Sequence, residues 1–81
     1  MSASKECIPP GQIIAAEIAT RGWSQAYLAV KANLSKGYVC KLIKGQVHLT
    51  QPTAVLLGKA LDTQPIFWMN LESAYRRSIG G

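Results

Sequence analysis

Residues Ser24–Gly45 read SQAYLAVKANLSKGYVCKLIKG, with four lysines and no acidic residue. Apolar residues recur at helical spacing on both sides of an interruption at Asn33-Leu34-Ser35. Ser24 reads as an N-cap, its hydroxyl accepting an orphan backbone N–H. Trp23 before it and Leu28 within the helix fit a hydrophobic staple. Leu34 and Ser35 repeat the device, with Ser35 as the cap and Val39 as the staple partner. Asn33 stands where the chain must turn sharply, and Asn tolerates the left-handed conformation better than other non-glycine residues. The stretch therefore predicts two short helices joined by a three-residue turn. Both fall below the roughly 12 residues at which an isolated helix holds in water, so packing must stabilise them. Ala29 is small enough for close approach between them. Val39 and Leu42 point to a core, and Lys36, Lys41 and Lys44 are left outside.

The flanking sequence supplies the helices that this pair needs. Pro9 or Pro10 can open a first helix ending at Gly22. Ile14 and Ile18 share one face of it, with Ala15 and Ala19 beside them. Thr50 caps a fourth helix with Pro52 in its first turn, and Val55, Leu56, Leu57, Ala60 and Leu61 form its apolar side. Gly58 inside that helix costs about 1 kcal/mol against alanine, which close helix packing would explain. Thr63 or Gln64 caps a fifth helix holding Phe67, Trp68, Leu71 and Tyr75. The predicted helices run over about 10–21, 24–32, 35–44, 51–62 and 65–77, in an all-α, compact five-helix domain over 9–77. Residues 1–8 read as a flexible N-terminal tail and 78–81 as a C-terminal tail.

The 81 residues allow one domain. The net charge is +5, and its placement says more than its size. Between Ile18 and Leu61 no Asp or Glu occurs, while Arg21, Lys31, Lys36, Lys41, Lys44 and Lys59 do. Outside that block Lys5, Arg76 and Arg77 meet Glu6, Glu17, Asp62 and Glu72. A centre of one sign points to a polyanion, and a solvated face is the plainer reading. Cys7 and Cys40 read as free thiols. With His48 they fit no zinc spacing, and a fourth ligand is absent. Near Cys40 only Lys41 and Lys44 would favour a thiolate. No apolar run suits a membrane span or a signal peptide, so a cytoplasmic protein is expected. Paired acids and a phosphate-cradling glycine loop are also missing, so no enzyme and no cofactor or metal are expected.

The helix pair looks like a helix-turn-helix. PPGQIIAAEI, WSQAYLAVKANLSKGYVCKLIKG and LGKALDTQPIFWMNL resemble the Cro/repressor-type (XRE) family, and within it the HigA-type antitoxins of toxin–antitoxin modules. The resemblance covers about Pro10 to Tyr75, and the F-W-x-N-L pattern at Phe67–Leu71 after T-x-P at Thr63–Pro65 is its most specific part. It implies that helix 3 enters the DNA major groove of a pseudo-palindromic operator. Carried over by position, Lys36, Gly37 and Lys41 fall where base-reading side chains usually stand, Tyr38 and Lys44 near the backbone, and Gln25 at a phosphate, with Ser35 also among the DNA-binding residues. Gly37 stands where a polar reader is common, so either the backbone approaches closely there or less sequence is read.

Phe67, Trp68, Leu71 and Tyr75 either complete the monomer's core or spill over from it into a homodimer interface. Trp23 serves as a staple or as a stacking platform. The function expected is a dimeric, sequence-specific transcriptional repressor, autoregulation included. The alternatives are an antitoxin that also binds a toxin ribonuclease, and a non-specific nucleic-acid binder.

Overall fold

A computed structural model describes residues 8–80, with side chains to residue 78. Five helices follow one another: α1 Pro10–Arg21, α2 Gln25–Ala32, α3 Lys36–Ile43, α4 Gln51–Leu61 and α5 Pro65–Gly80. No strand occurs among the described residues. Helix α5 continues to Gly80, past the expected end at 77 and through most of the expected C-terminal tail. Apart from Ile8, the expected N-terminal tail lies outside the described residues, as does Cys7.

Local chemistry sets the boundaries. The Tyr27 amide donates to Ser24 Oγ at 3.0 Å and the Tyr38 amide to Ser35 Oγ at 3.1 Å, so both serines cap as expected. Asn33 ends α2 at φ 57°, within the left-handed region that its side chain tolerates. Thr50 departs from its expected role. It precedes α4, but its side chain makes no cap hydrogen bond; its hydroxyl instead lies 3.1 Å from Thr53 Oγ1.

Ile14 and Ile18 of α1 meet Leu28, Ala29 and Ala32 of α2, Val39 and Leu42 of α3, and Ala54, Leu57 and Leu61 of α4 in one core. Leu49 pins the α3–α4 loop into that core, and Trp68 closes it from α5. Trp68 is fully buried, and its indole N–H donates to Thr63 Oγ1 at 2.8 Å. The T-x-P and F-W elements thus form one device: Thr63 supplies the acceptor that a buried indole requires. Trp68 is accordingly corrected from dimer-interface candidate to core residue. It offers no surface to a second copy.

Two glycines mark where backbones touch. A Cβ on Gly58 would stand 2.5 Å from the Thr63 carbonyl oxygen, which accounts for a glycine inside α4. A Cβ on Gly11 would collide with the carbonyl oxygens of Leu42 and Ile43. Gly11 therefore lets α1 lie directly against the C-terminal end of α3. Nothing in the sequence near Gly11 signals this, because its neighbours are distant in the chain.

Candidate nucleic-acid interface

Helix α3 has two faces. Val39 and Leu42 are buried, while Lys36, Gly37, Lys41 and Lys44 are exposed on the other side. Residues 37, 41 and 44 follow helical i, i+4, i+7 spacing, and Lys36 extends the same face at the first turn. Cys40 sits half-buried within it as a free thiol. Gln25, half-buried, occupies the first position of α2 directly after the Ser24 cap. The α2 N-terminus and the α3 face are thus held by two helices in direct contact.

Ion pairing decides which charges remain available. Arg21 pairs with Glu17 and donates to the Leu61 carbonyl at 2.9 Å. It ties α1 to the end of α4 and leaves the set of free cations. Arg76 donates to Glu72 at 2.6 Å. Glu72, largely buried, also lies 3.3 Å from His48 Nδ1, fastening the α3–α4 loop to α5. Among the described residues Lys36, Lys41 and Lys44 form no ion pair. Glu17 and Glu72 are paired with other groups, and the three lysines of the α3 face remain unpaired.

Three site expectations are refined. Ser35 stands at the α3 N-terminus as expected, but its oxygen accepts the Tyr38 amide. Tyr38 does not point outward: its ring packs against the core and its hydroxyl lies 2.9 Å from Thr53 Oγ1. Both its hydroxyl and its amide are engaged within the protein, which favours packing over the expected place near the DNA backbone. Gly37 opens on empty space, with nothing within 4 Å of where a Cβ would be. It marks a gap in the row of side chains rather than a close backbone contact inside the protein.

The two glycines that touch α3 predict opposite results for one substitution. Gly37→Ala should stabilise the fold by up to about 1 kcal/mol through reduced unfolded-state entropy. Gly11→Ala should destabilise it by about 1–3 kcal/mol through overpacking against two carbonyls. Urea denaturation of both variants checks the pair, and a destabilising Gly37→Ala would contradict the open space seen there.

Trp23 is half-buried and packs against the core. Its ring meets Tyr27 edge-on at 4.9 Å, with the Arg21 guanidinium 5.6 Å from its centroid. This favours the staple, and one aromatic pair offers little platform for successive bases. Among the described residues no three His, Cys, Asp or Glu side chains cluster as a metal site, and no helix is long and apolar enough to cross a membrane.

The family described as Helix-turn-helix matches residues 14–68. An addiction module antidote protein of the HigA family from Coxiella burnetii is 32% identical over 93% of this chain and 83% of its own, with a TM-score of 0.87. The Pseudomonas aeruginosa antitoxin HigA, solved with the higBA promoter, is 32% identical over 91% of this chain and 82% of its own, at a TM-score of 0.86. A Pseudomonas aeruginosa protein in complex with its 28-base-pair operator DNA matches equally, at 32% identity, 91% and 82% coverage and a TM-score of 0.86. No curated protein is a significant match.

Proposed function

The chain belongs to the XRE-type helix-turn-helix family, and on that premise we propose that it is a sequence-specific DNA-binding repressor. The observation that carries this reading is the α3 face: Lys36, Lys41 and Lys44 are exposed and free of ion pairs among the described residues. Lysine can donate to guanine O6 and N7 or to phosphate oxygens. Lys36 and Lys41, with Ser35 and Gly37 beside them, read base edges in the major groove. Lys44 and Gln25 hold the phosphate backbone, Gln25 with the help of the α2 N-terminus. Solved relatives bound to a promoter and to operator DNA support the DNA-binding reading.

A repressor of this kind acts as a homodimer on a pseudo-palindrome, with half-sites about 34 Å apart. Helix α5 offers the surface. Phe67 is 42% exposed and Ile66 60%, and Leu71 and Tyr75 are half-buried along the same helix. Apolar side chains left this open next to a packed core suit an isologous contact. Ile66 was not marked by the sequence pattern, because its exposure depends on how Trp68 turns α5 onto the core.

A second role is favoured by the relatives' own description as antidote and antitoxin proteins: direct binding of a toxin ribonuclease, alongside repression of the promoter that both share. A small ribonuclease-like gene beside this one, whose product co-purifies with the chain, is expected under that reading.

Fluorescence anisotropy separates specific from charge-driven binding. The duplex upstream of the protein's own gene and a scrambled duplex are titrated at about 0.15 M salt. Preference for the native duplex by roughly 10³-fold or more is expected. Equal affinities, falling steeply with salt for both, would reduce the protein to a non-specific nucleic-acid binder.

A further inference from the structure

The half-buried Tyr38 and the buried Thr53 do not belong to the DNA-facing row, yet they join the reading helix to its neighbour. Thr53 is 5% exposed. Its hydroxyl has two hydroxyl partners, Tyr38 at 2.9 Å and Thr50 at 3.1 Å. Thr50 holds the N-cap position of α4, where its side chain would ordinarily accept an amide of the first turn. It makes no such bond. Its hydroxyl is given to Thr53 instead, so a helix cap is forgone while a part-buried three-hydroxyl chain is completed.

We propose that the Tyr38–Thr53–Thr50 hydroxyl chain sets the rotation of α3 about its own axis, making Tyr38 a positioning residue for base readout that acts through Thr53. The inference rests on the DNA-binding reading above. Helix α3 is 8 residues long, too short to fix its own pose. Val39 and Leu42 anchor its buried face, but apolar contacts are non-directional and tolerate small rotations. A hydrogen bond at the flank is directional. Tyr38 lies two residues after Lys36 and three before Lys41, so turning α3 moves both lysines. With side-chain tips about 5–6 Å from a helix axis, a 20° turn displaces them by about 2 Å. That is enough to break hydrogen bonds to base edges while leaving charge-driven attraction to the duplex intact. Gly37 between Lys36 and Tyr38 adds no contact that would resist the turn.

The test uses the full chain and an operator selected from a random duplex library, with an unrelated duplex as reference. Tyr38→Phe removes one oxygen and keeps the ring in the core. Thr53→Val removes the partner hydroxyl, and the freed Thr50 can then cap α4. Each variant should lower operator affinity about tenfold, with affinity for the unrelated duplex and the salt slope unchanged. The double variant should be no worse than either single one, because both break the same link. Thr53→Ser, which keeps the hydroxyl, should restore readout. Circular dichroism and Tm verify that each variant is folded. A Tyr38 that contacted DNA directly would give another pattern: Tyr38→Phe would weaken both duplexes, and Thr53→Val would change neither or add independently. That pattern, or loss that Thr53→Ser fails to rescue, overturns the proposal. A wild-type chain that fails to discriminate the two duplexes removes the sequence-specific reading itself, and the positioning role with it.

Discussion

Replacing Lys36 and Lys41 together with alanine is expected to cut operator affinity by roughly 10³-fold or more without unfolding the protein. Both side chains are exposed and neither has an ion-pair partner among the described residues, so stability should stay within about 0.5 kcal/mol of the wild type. A good lysine contact to a base edge is worth about 1–3 kcal/mol. In a dimer each substitution occurs twice, once per half-site, which is why the combined loss is large. Affinity for unrelated DNA should fall far less, since Lys44 and Lys31 remain. The salt slope separates the roles further. A lysine that neutralises a phosphate takes about 0.9 off the slope when removed, whereas a base-reading lysine takes off less. Anisotropy titrations at several salt concentrations measure both quantities. A folded double variant with unchanged operator affinity would sink the assignment of α3.

The second large effect concerns neighbours in sequence with opposite surroundings. Trp68→Ala should cost about 3–5 kcal/mol, because it empties the fully buried indole site that closes the core. It also strips Thr63 Oγ1 of its N–H donor. For a domain of this size total stability is roughly 4–12 kcal/mol, so the variant stands near the edge of folding. A fall in Tm on the order of 20 °C is expected. Phe67→Ala, one residue earlier, removes a ring that is 42% exposed. It should cost the monomer little, and shift the proposed homodimer toward monomer in sedimentation experiments. Comparable Tm losses for the two, or a Phe67→Ala dimer as tight as the wild type, would contradict this division of α5 into core and interface.

That division shows which parts of the molecule the sequence can express. Ser24, Ser35 and Asn33 are legible because caps and left-handed turns act within three or four residues. The exposed lysines of α3 are legible because helical periodicity separates them from Val39 and Leu42. The same periodicity places Tyr38 on the flank, neither inward nor outward. Its partner Thr53 lies on another helix, so only the folded chain reveals which way it turns. Trp68 reads equally well as core or interface until α5 is docked and Thr63 is seen to accept its N–H. Gly11 carries no local signal at all, since the carbonyls that require a glycine there belong to Leu42 and Ile43. Glu72 reads from the sequence as an ordinary flank charge. The fold buries it and fastens the α3–α4 loop to α5 through His48. Roles that depend on contacts within one helix are thus mostly legible, Thr50 excepted, and those that join separate elements mostly are not, Gly58 excepted.

Site selection from a random duplex library, with the mass of the bound species measured in parallel, tests sequence-specific binding by α3 most directly. The expected result is an enriched inverted repeat whose half-sites stand one helical turn apart, bound by two copies of the chain. Retention of duplexes without any enriched sequence, or no binding at moderate salt, would contradict it.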